Sequence, residues 1–356
     1  MTGIALLGAG IFATQEHLPA ILAASQLTLK AIYSRSQSSA ESLAASLPDS
    51  VRQDVQLYYA SPATQGKSLD DLLARSDIQA VDIALPILHQ PEVIEKSIKA
   101  GKHVLSEKPV AGDVEGAKKL IEWYHGLDAN KKPLWGVAEN FRYMESLKFA
   151  GDKVRELGGK LATFKLERYG FVKADDRYFK TEWRKVPSHQ GGFLLDAGVH
   201  FVAGLRYLLG ATGQEIKQLV GFSGLLEERL VPVDTIHAVA LTNEGKSGTV
   251  VLTFGTEFKS GLEIEIITTN GIVTWSPDTV KVVARKSDGS GEKEEVTKEF
   301  DWSSGVKAEV AAFAQAIEEG QISALQTPEE ALKDLDILQR LLESGDAGAA
   351  LKTIGA

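Results

Sequence analysis

Short apolar runs alternate with amphipathic stretches through the first part of the chain. Residues 4–7, 27–33, 80–85, 103–106 and 135–138 are short, predominantly apolar runs bounded by Gly, Pro or polar positions, the pattern of buried strands. Helical spacing fills the gaps at 17–24, with Pro19 near the first turn, and at 39–47, 69–76 and 92–100, where Gly101 follows as a left-handed cap. Between 47 and 69 the polar stretch has no defined period. Strand and helix alternating in this way predict a doubly wound parallel sheet over residues 1–138. Beyond Asn140 the period changes. A helix at 146–156 and the pair Gly158-Gly159 precede strand-like runs at 161–169, 217–222, 235–241, 248–254, 263–268, 280–284 and 294–300. Asn243-Glu244-Gly245, Asn270-Gly271 and Asp288-Gly289 are turn sequences between them. Consecutive strands without helices predict a carboxyl-terminal α/β domain, 139–356, with a largely antiparallel open sheet. Such a sheet needs cover on both faces, by its own helices and by a partner, so a homodimer or homotetramer through this sheet is expected.

Composition narrows the class. With 356 residues, 44% hydrophobic and 24% charged, the chain has ordinary globular proportions, which excludes disordered, collagen-like and membrane classes. A formal net charge of -9 argues against nucleic acid and anionic membrane as partners, leaving a small-molecule substrate. There are 0 cysteines, which removes disulfides, thiolate catalysis and Cys-ligated zinc. The histidines show no metal-ligand spacing, so no metal is expected. The first residues lead straight into a strand, and no apolar run approaches the roughly 20 residues of a membrane span, so a cytoplasmic location is expected.

The candidate chemistry starts at Gly8-Ala9-Gly10-Ile11-Phe12-Ala13, between the first strand and the first helix. Gly8 permits the tight turn, Gly10 lets backbone approach a pyrophosphate, and Ala13 stands for the third glycine where helix packs on strand. The helix start offers free N–H groups and a positive dipole end to phosphate. The second strand ends in Ser34-Arg35-Ser36, where an NAD-selective site has a carboxylate on the adenine ribose. An arginine among hydroxyls suits a 2′-phosphate, so NADP (NADPH) is the expected cofactor, with Arg35 either stacking over adenine or gripping that phosphate. Lys108, between Glu107 and Pro109, closes an apolar strand, and ligands of open α/β sheets bind at strand carboxyl ends. Asp196 and His200 follow Gly191-Gly192; if helical, they are four apart and share one face, a proton-handling pair. Gly191, Gly192 and Gly198 suggest a tight approach to a ligand. His17 falls in the first helix near the phosphate turn, and His103, inside a strand, reads as structural. Tyr169, Tyr178, Phe179 and Trp183 either wall a substrate pocket or pack a domain interface, with Arg184 available to a carboxylate or hydroxyl.

Taken together these motifs resemble the glucose-fructose oxidoreductase, inositol dehydrogenase and rhizopine-catabolism family, Gfo/Idh/MocA. The resemblance rests on the glycine turn, His89, the run from Ala100 through Glu107-Lys108-Pro109, the stretch from Asn140 to Tyr143, and the run from Trp183 to His200. In detail it is most similar to a fungal, NADP-using branch. It implies a Rossmann domain, a carboxyl-terminal α/β domain, and a site between them where Lys108, Asp196 and His200 meet the nicotinamide. It implies Lys108 as the cation that steadies alkoxide character, His200 as general acid/base and Asp196 as the residue orienting substrate or His200. Cofactor contacts are implied at Gly8, Gly10, Ile11, Phe12, Ala13, Ser34, Arg35, Ser36, Pro86, His89, Glu107, Lys108, Asn140, Trp183 and Arg184. Substrate contacts are implied at Arg142, Tyr143, Tyr178, Asp196 and His200. Ile87 departs from the family, where many relatives have a polar residue. The expected activity is NADP-dependent hydride transfer to or from a small carbonyl or secondary alcohol, such as a sugar or polyol. Two other outcomes share the fold: a non-catalytic NADP-binding sensor controlling a partner protein, and an internal redox cycle with no net oxidation.

Overall fold

A computed structural model describes residues 1–129, 131–187, 189–286 and 288–355. β1 (Thr2–Leu7) is fully buried from Ile4 onward, and all of its neighbours are parallel to it. The chain leaves it through the glycine turn into a helix whose first turns, Ala13–His17, are π-helical and which continues as α1 (Leu18–Ala23). There follow β2 (Leu27–Ser36), α2 (Gln37–Ala45), α3 (Asp49–Arg52), β3 (Gln56–Ser61), α4 (Leu69–Leu73), β4 (Ala80–Ile83), α5 (Gln90–Lys99), β5 (His103–Glu107), α6 (Val114–His125) and β6 (Trp135–Ala138). The six strands are ordered β3-β2-β1-β4-β5-β6, so the order reverses between β1 and β4. That reversal opens a crevice at the carboxyl ends of β1 and β4, where doubly wound sheets take their ligands. This arrangement is the Rossmann sheet expected from the sequence.

Three local features differ from the pattern-based reading. β2 runs on through Arg35 to Ser36 because β3 pairs with it, Ser36 lying against Ser61. β3 itself went unrecognised, since Gln56 and Ser61 at its ends interrupt the apolar Leu57-Tyr58-Tyr59 run. The first helix begins before His17, because the Gly10 carbonyl already accepts from Thr14 N at 3.0 Å.

The second sheet follows. After α7 (Glu145–Leu157) come β7 (Leu161–Tyr169), α8 (Glu182–Lys185), α9 (Gly192–Gly210), β8 (Ile216–Gly224), β9 (Thr235–Thr242), β10 (Ser247–Thr253), β11 (Gly261–Thr268), β12 (Gly271–Ser276), β13 (Thr279–Arg285) and β14 (Lys293–Glu299). The order is β14-β13-β12-β11-β7-β10-β9-β8-β15, with β15 (Lys352–Thr353) at one edge. It is antiparallel except between β7 and β10, which run parallel because the chain crosses through α9 before returning. β12 was missed because Asn270-Gly271 is the turn and the strand starts on its glycine. α7 and α9 cover one face, over Phe164, Leu166, Ile264, Ile266, Leu252 and Trp275, all essentially inaccessible. Trp275 Nε1 donates to Ser146 Oγ at 3.1 Å, tying α7 to the sheet. The other face carries Lys165 among Glu263 and Glu265, with Val239 and Phe222 exposed. α9 is apolar and long enough by composition to cross a membrane, contrary to the sequence reading, but most of it is buried in this unit.

The chain then returns. By compactness it forms two units: Met1–Glu139 with Val306–Leu332, and Asn140–Gly305 with Lys333–Ala356. α10 (Val306–Glu319) therefore belongs with the parallel sheet, where Val306, Val310, Phe313 and Ala314 share a core with Ile4, Leu6, Leu18 and Ile21. α11 (Pro328–Asp346) contributes residues to both units.

Candidate active site

In the first unit the glycine turn is built for a close-approaching ligand. Gly8 has φ +138°, and a Cβ there would lie 2.3 Å from the Ala84 carbonyl oxygen, so only glycine fits. A Cβ on Gly10 would meet nothing within 4 Å, so the space beside its backbone is open, and the first N–H groups of the helix that follows have no intrahelical acceptor. Ile11 and Phe12 are half-buried in this turn and Ala13 is buried in the core. An open cradle over a helix N-terminus fits the pyrophosphate of a dinucleotide. At the end of β2, Ser34 is buried, Arg35 is exposed, and Ser36 accepts from Ser39 N at 3.3 Å, capping α2. Arg35 therefore projects beside a helix N-terminus and a hydroxyl cluster.

Lys108 directly follows β5 and is half-buried, and Glu107 is the last residue of that strand. Pro86 is half-buried and His89 exposed at the start of α5, while Ile87 is 2% exposed. The position that departs from the family thus packs inward.

The surprise in this unit is His17. Its imidazole is completely buried, with Nδ1 2.8 Å from Asp82 Oδ2 and Nε2 2.9 Å from Glu107 Oε1. Burial by itself would strip its proton, but the charge and hydrogen bond of Asp82, and then those of Glu107, outweigh this and hold the proton well above the usual histidine range. Glu309 of α10, also 0% exposed, faces the same cluster with neither carboxyl oxygen hydrogen-bonded. Burial, reinforced by Glu107 and opposed by His17, pushes its pKa well above the ordinary carboxyl value, with Glu139 and Asp82 adding to the rise. The sequence places His17 in the first helix near the phosphate turn, and it also carries the signal for the cluster. Asp82 is a charge inside Ala80-Val81-Asp82-Ile83, and Glu309 lies on the apolar stripe of Val306, Val310 and Phe313.

In the second unit Asp196 and His200 lie on α9, confirming the helix on which their shared face depends. Asp196 is 6% exposed and its Oδ2 accepts from Arg184 Nε at 2.8 Å. Arg184 lies over the Trp183 ring at 4.0 Å and the Tyr178 ring at 5.6 Å. The aromatic residues therefore hold the guanidinium that Asp196 neutralises. His200 stacks on Phe141 at 4.9 Å with an interplanar angle of 15°, and Phe141 in turn meets Trp275 edge-on. Asn140 is buried, its Nδ2 donating to Ser304 O at 2.5 Å. Arg142 is 3% exposed, its guanidinium against Asp334, which also takes Arg206; Tyr143 is 5% exposed. The glycines near α9 approach protein rather than open space. A Cβ on Gly192 would lie 2.6 Å from Val231 O, and one on Gly198 would lie 2.9 Å from Leu338 Cδ2 of α11. The inference of a ligand from those glycines is thereby corrected.

A family model described as an oxidoreductase family with an NAD-binding Rossmann fold matches residues 2–128, and one for its C-terminal alpha/beta domain matches 156–353. Dehydrogenase FPY6 of Fusarium mangiferae is 52% identical over 354 residues, 99% of each chain. A crystal structure of an oxidoreductase from Thermotoga maritima superposes with a TM-score of 0.84 at 26% identity, covering 99% of this chain and 98% of that one. A levoglucosan dehydrogenase in complex with NADH and L-sorbose superposes with a TM-score of 0.82 at 19% identity, covering the same shares.

Proposed function

The chain belongs to the Gfo/Idh/MocA oxidoreductase family, and from that premise we propose that it moves hydride between NADP(H) and a secondary alcohol, or its carbonyl, on a small sugar, polyol or related aldehyde or ketone. The observation that carries this reading is Lys108 at the end of β5, in the same parallel sheet as the open Gly10 cradle. A bound nicotinamide supplies or accepts the hydride. The protein's own residues handle charge and protons. A carbon exchanges hydride only as its oxygen gains or loses a proton, so the oxygen needs a cation and a proton carrier. Lys108 steadies negative charge on that oxygen, and His200, its ring fixed by stacking on Phe141, exchanges the proton. Asp196 holds Arg184 and with it the Tyr178 and Trp183 wall, which orients the substrate.

NADP preference is supported by exposed Arg35 beside the capped start of α2, with no carboxylate at the end of β2. Arg35→Asp should reverse the ratio of catalytic efficiencies with NADPH and NADH; an unchanged ratio refutes the assignment. An enzyme rather than a sensor is favoured by the dehydrogenase at 52% identity. Absorbance at 340 nm should fall when NADPH is mixed with a responsive member of a panel of aldehydes, ketones and ketoses. Tight NADPH binding without turnover on any panel member, in either direction, would overturn the enzymatic reading. For the exposed face of the second sheet, with Phe222 and Val239, we propose a second copy as cover. Light scattering should give a multiple of the chain mass, reduced to one chain in Phe222→Asp.

A further inference from the structure

We propose that His17 is a positioning residue of the hydride-transfer site, its imidazolium clamped between Asp82 and Glu107 so that the helix of the dinucleotide turn is tied to the strand end that carries Lys108. This rests on the reading of Lys108 as a residue of that site. The geometry is specific. His17 belongs to the π-helical turn that follows Gly8-Ala9-Gly10, Asp82 to β4, and Glu107 to β5, immediately before Lys108. One side chain thus joins three elements that converge on the crevice of the sheet.

A neutral imidazole has one N–H and one lone pair, and both ring nitrogens here face carboxylate oxygens at hydrogen-bond distance. Two ionised carboxylates are satisfied only by two N–H donors, so the trio retains a proton that a free histidine would release near neutrality. The titratable groups around His17 are Asp82 of β4, Glu107 of β5 and Glu309 of α10, Glu309 itself feeling Glu139 after β6, and the Phe12 ring lies edge-on to His17 at 5.3 Å. Burial and the neighbouring carboxylates favour the neutral form of Glu309. Neither ring nitrogen is left for a metal. A π-turn of this kind interrupts a helix at a local cost and recurs at functional sites; here it is what delivers the histidine to its two acceptors. If Glu107 is released, its side chain loses its anchor and the adjoining lysine loses its fixed starting point. Misplacing a catalytic group by about 1 Å costs on the order of 100-fold in rate.

The test combines an arm without substrate and an arm with it. In the full-length protein labelled with 15N-histidine, one imidazole should keep both ring protons at pH 8, and its signals should be absent in His17→Gln. In protein whose lysines are reductively 13C-methylated, the Lys108 signal, assigned by its loss in Lys108→Met, should shift in His17→Gln while lysines elsewhere stay put. With the substrate from the NADPH panel, His17→Gln should lower kcat by about 10- to 100-fold while KM for NADPH changes little. Wild-type kcat should also fall at alkaline pH as His17 deprotonates, a limb missing from the variant. If His17→Gln does not fold, Asp82→Asn replaces it, with loss of the doubly protonated imidazole and the same kcat drop expected. All histidines neutral at pH 8, or an unmoved Lys108 signal in the variant, would overturn the proposal. So would a variant with wild-type kcat where Lys108→Met is inactive. If Lys108→Met instead turns over normally, the hydride-transfer reading fails, and the proposal built on it is overturned with it, while the labelled-histidine arm still reports whether the clamp exists.

Discussion

Asp334 on α11 holds two guanidinium groups, Arg142 and Arg206, and its removal gives the sharpest stability prediction for the second unit. The side chains of Arg142 and Asp334 are each 3% exposed and that of Arg206 is 15% exposed. In Asp334→Ala, Arg206 can turn toward water, while Arg142 stays buried and loses its ion pair with Asp334. Breaking a buried pair by removing one partner costs about 3–5 kcal/mol. For a unit of about 200 residues, each kcal/mol moves Tm by about 2–4 °C, so the expected drop is about 6–20 °C. The assay is thermal unfolding of full-length protein followed by near-UV and far-UV circular dichroism, with urea midpoints as a second measure. The double variant Arg142→Met/Asp334→Leu should lose less stability than Asp334→Ala, because it removes the buried guanidinium together with its carboxylate. A substrate-contacting Arg142 predicts something else: a raised KM in Arg142→Met with Tm almost unmoved. An Asp334→Ala protein that melts with the wild type would refute the reasoning.

Three further outcomes follow from the first unit. Glu309 holds its proton in the folded state and releases it near pH 4.5 when unfolded, so the folded form binds more protons and stability falls as pH rises above that value. Glu309→Gln, which mimics the neutral acid, should be more stable than wild type in urea at pH 8, with the difference shrinking toward pH 5; a difference that grows on acidification would contradict this. Gly8→Ala should destabilise by about 1–3 kcal/mol, since its Cβ would press on the Ala84 carbonyl at a positive φ. Gly10→Ala should melt close to wild type yet weaken NADPH binding in a fluorescence titration, because its Cβ fills only the open cradle; equal affinity would remove the pyrophosphate from that position.

How far the sequence could be read follows from which forces act locally. The parallel strands announced themselves because burial on both faces demands continuous aliphatic runs, and Ala80-Val81-Asp82-Ile83 or Trp135-Gly136-Val137-Ala138 can be little else. β3 and β12 were hidden because the partners that make them strands, β2 and the β11–β13 pair, act across the sheet rather than along the chain. The same is true of the crossover that turns β7 and β10 parallel. Among the candidate residues, Gly8, Gly10 and Lys108 in the first unit and Asp196 and His200 in the second stand out in the sequence because spacing or strand position suggests a chemical purpose for each. Arg142 and Tyr143 sit next to Asn140 in sequence, but their burial follows from the fold of α9 and α11 around them. Gly198 is small for the sake of Leu338, a partner 140 positions away by chain number. His17, Asp82 and Glu309 come from three separate stretches, so only the folded chain could unite them, although each was already a polar residue at a position that should have been apolar.

The central claim is that Lys108 stabilises charge on the reacting oxygen. The measurement that tests it most directly is single-turnover hydride transfer by Lys108→Met, followed at 340 nm with saturating nucleotide and the substrate from the NADPH panel. Loss of a donor felt mainly in the transition state predicts a rate lower by roughly 100-fold or more, with NADPH affinity retained. Wild-type transfer in Lys108→Met would contradict the account.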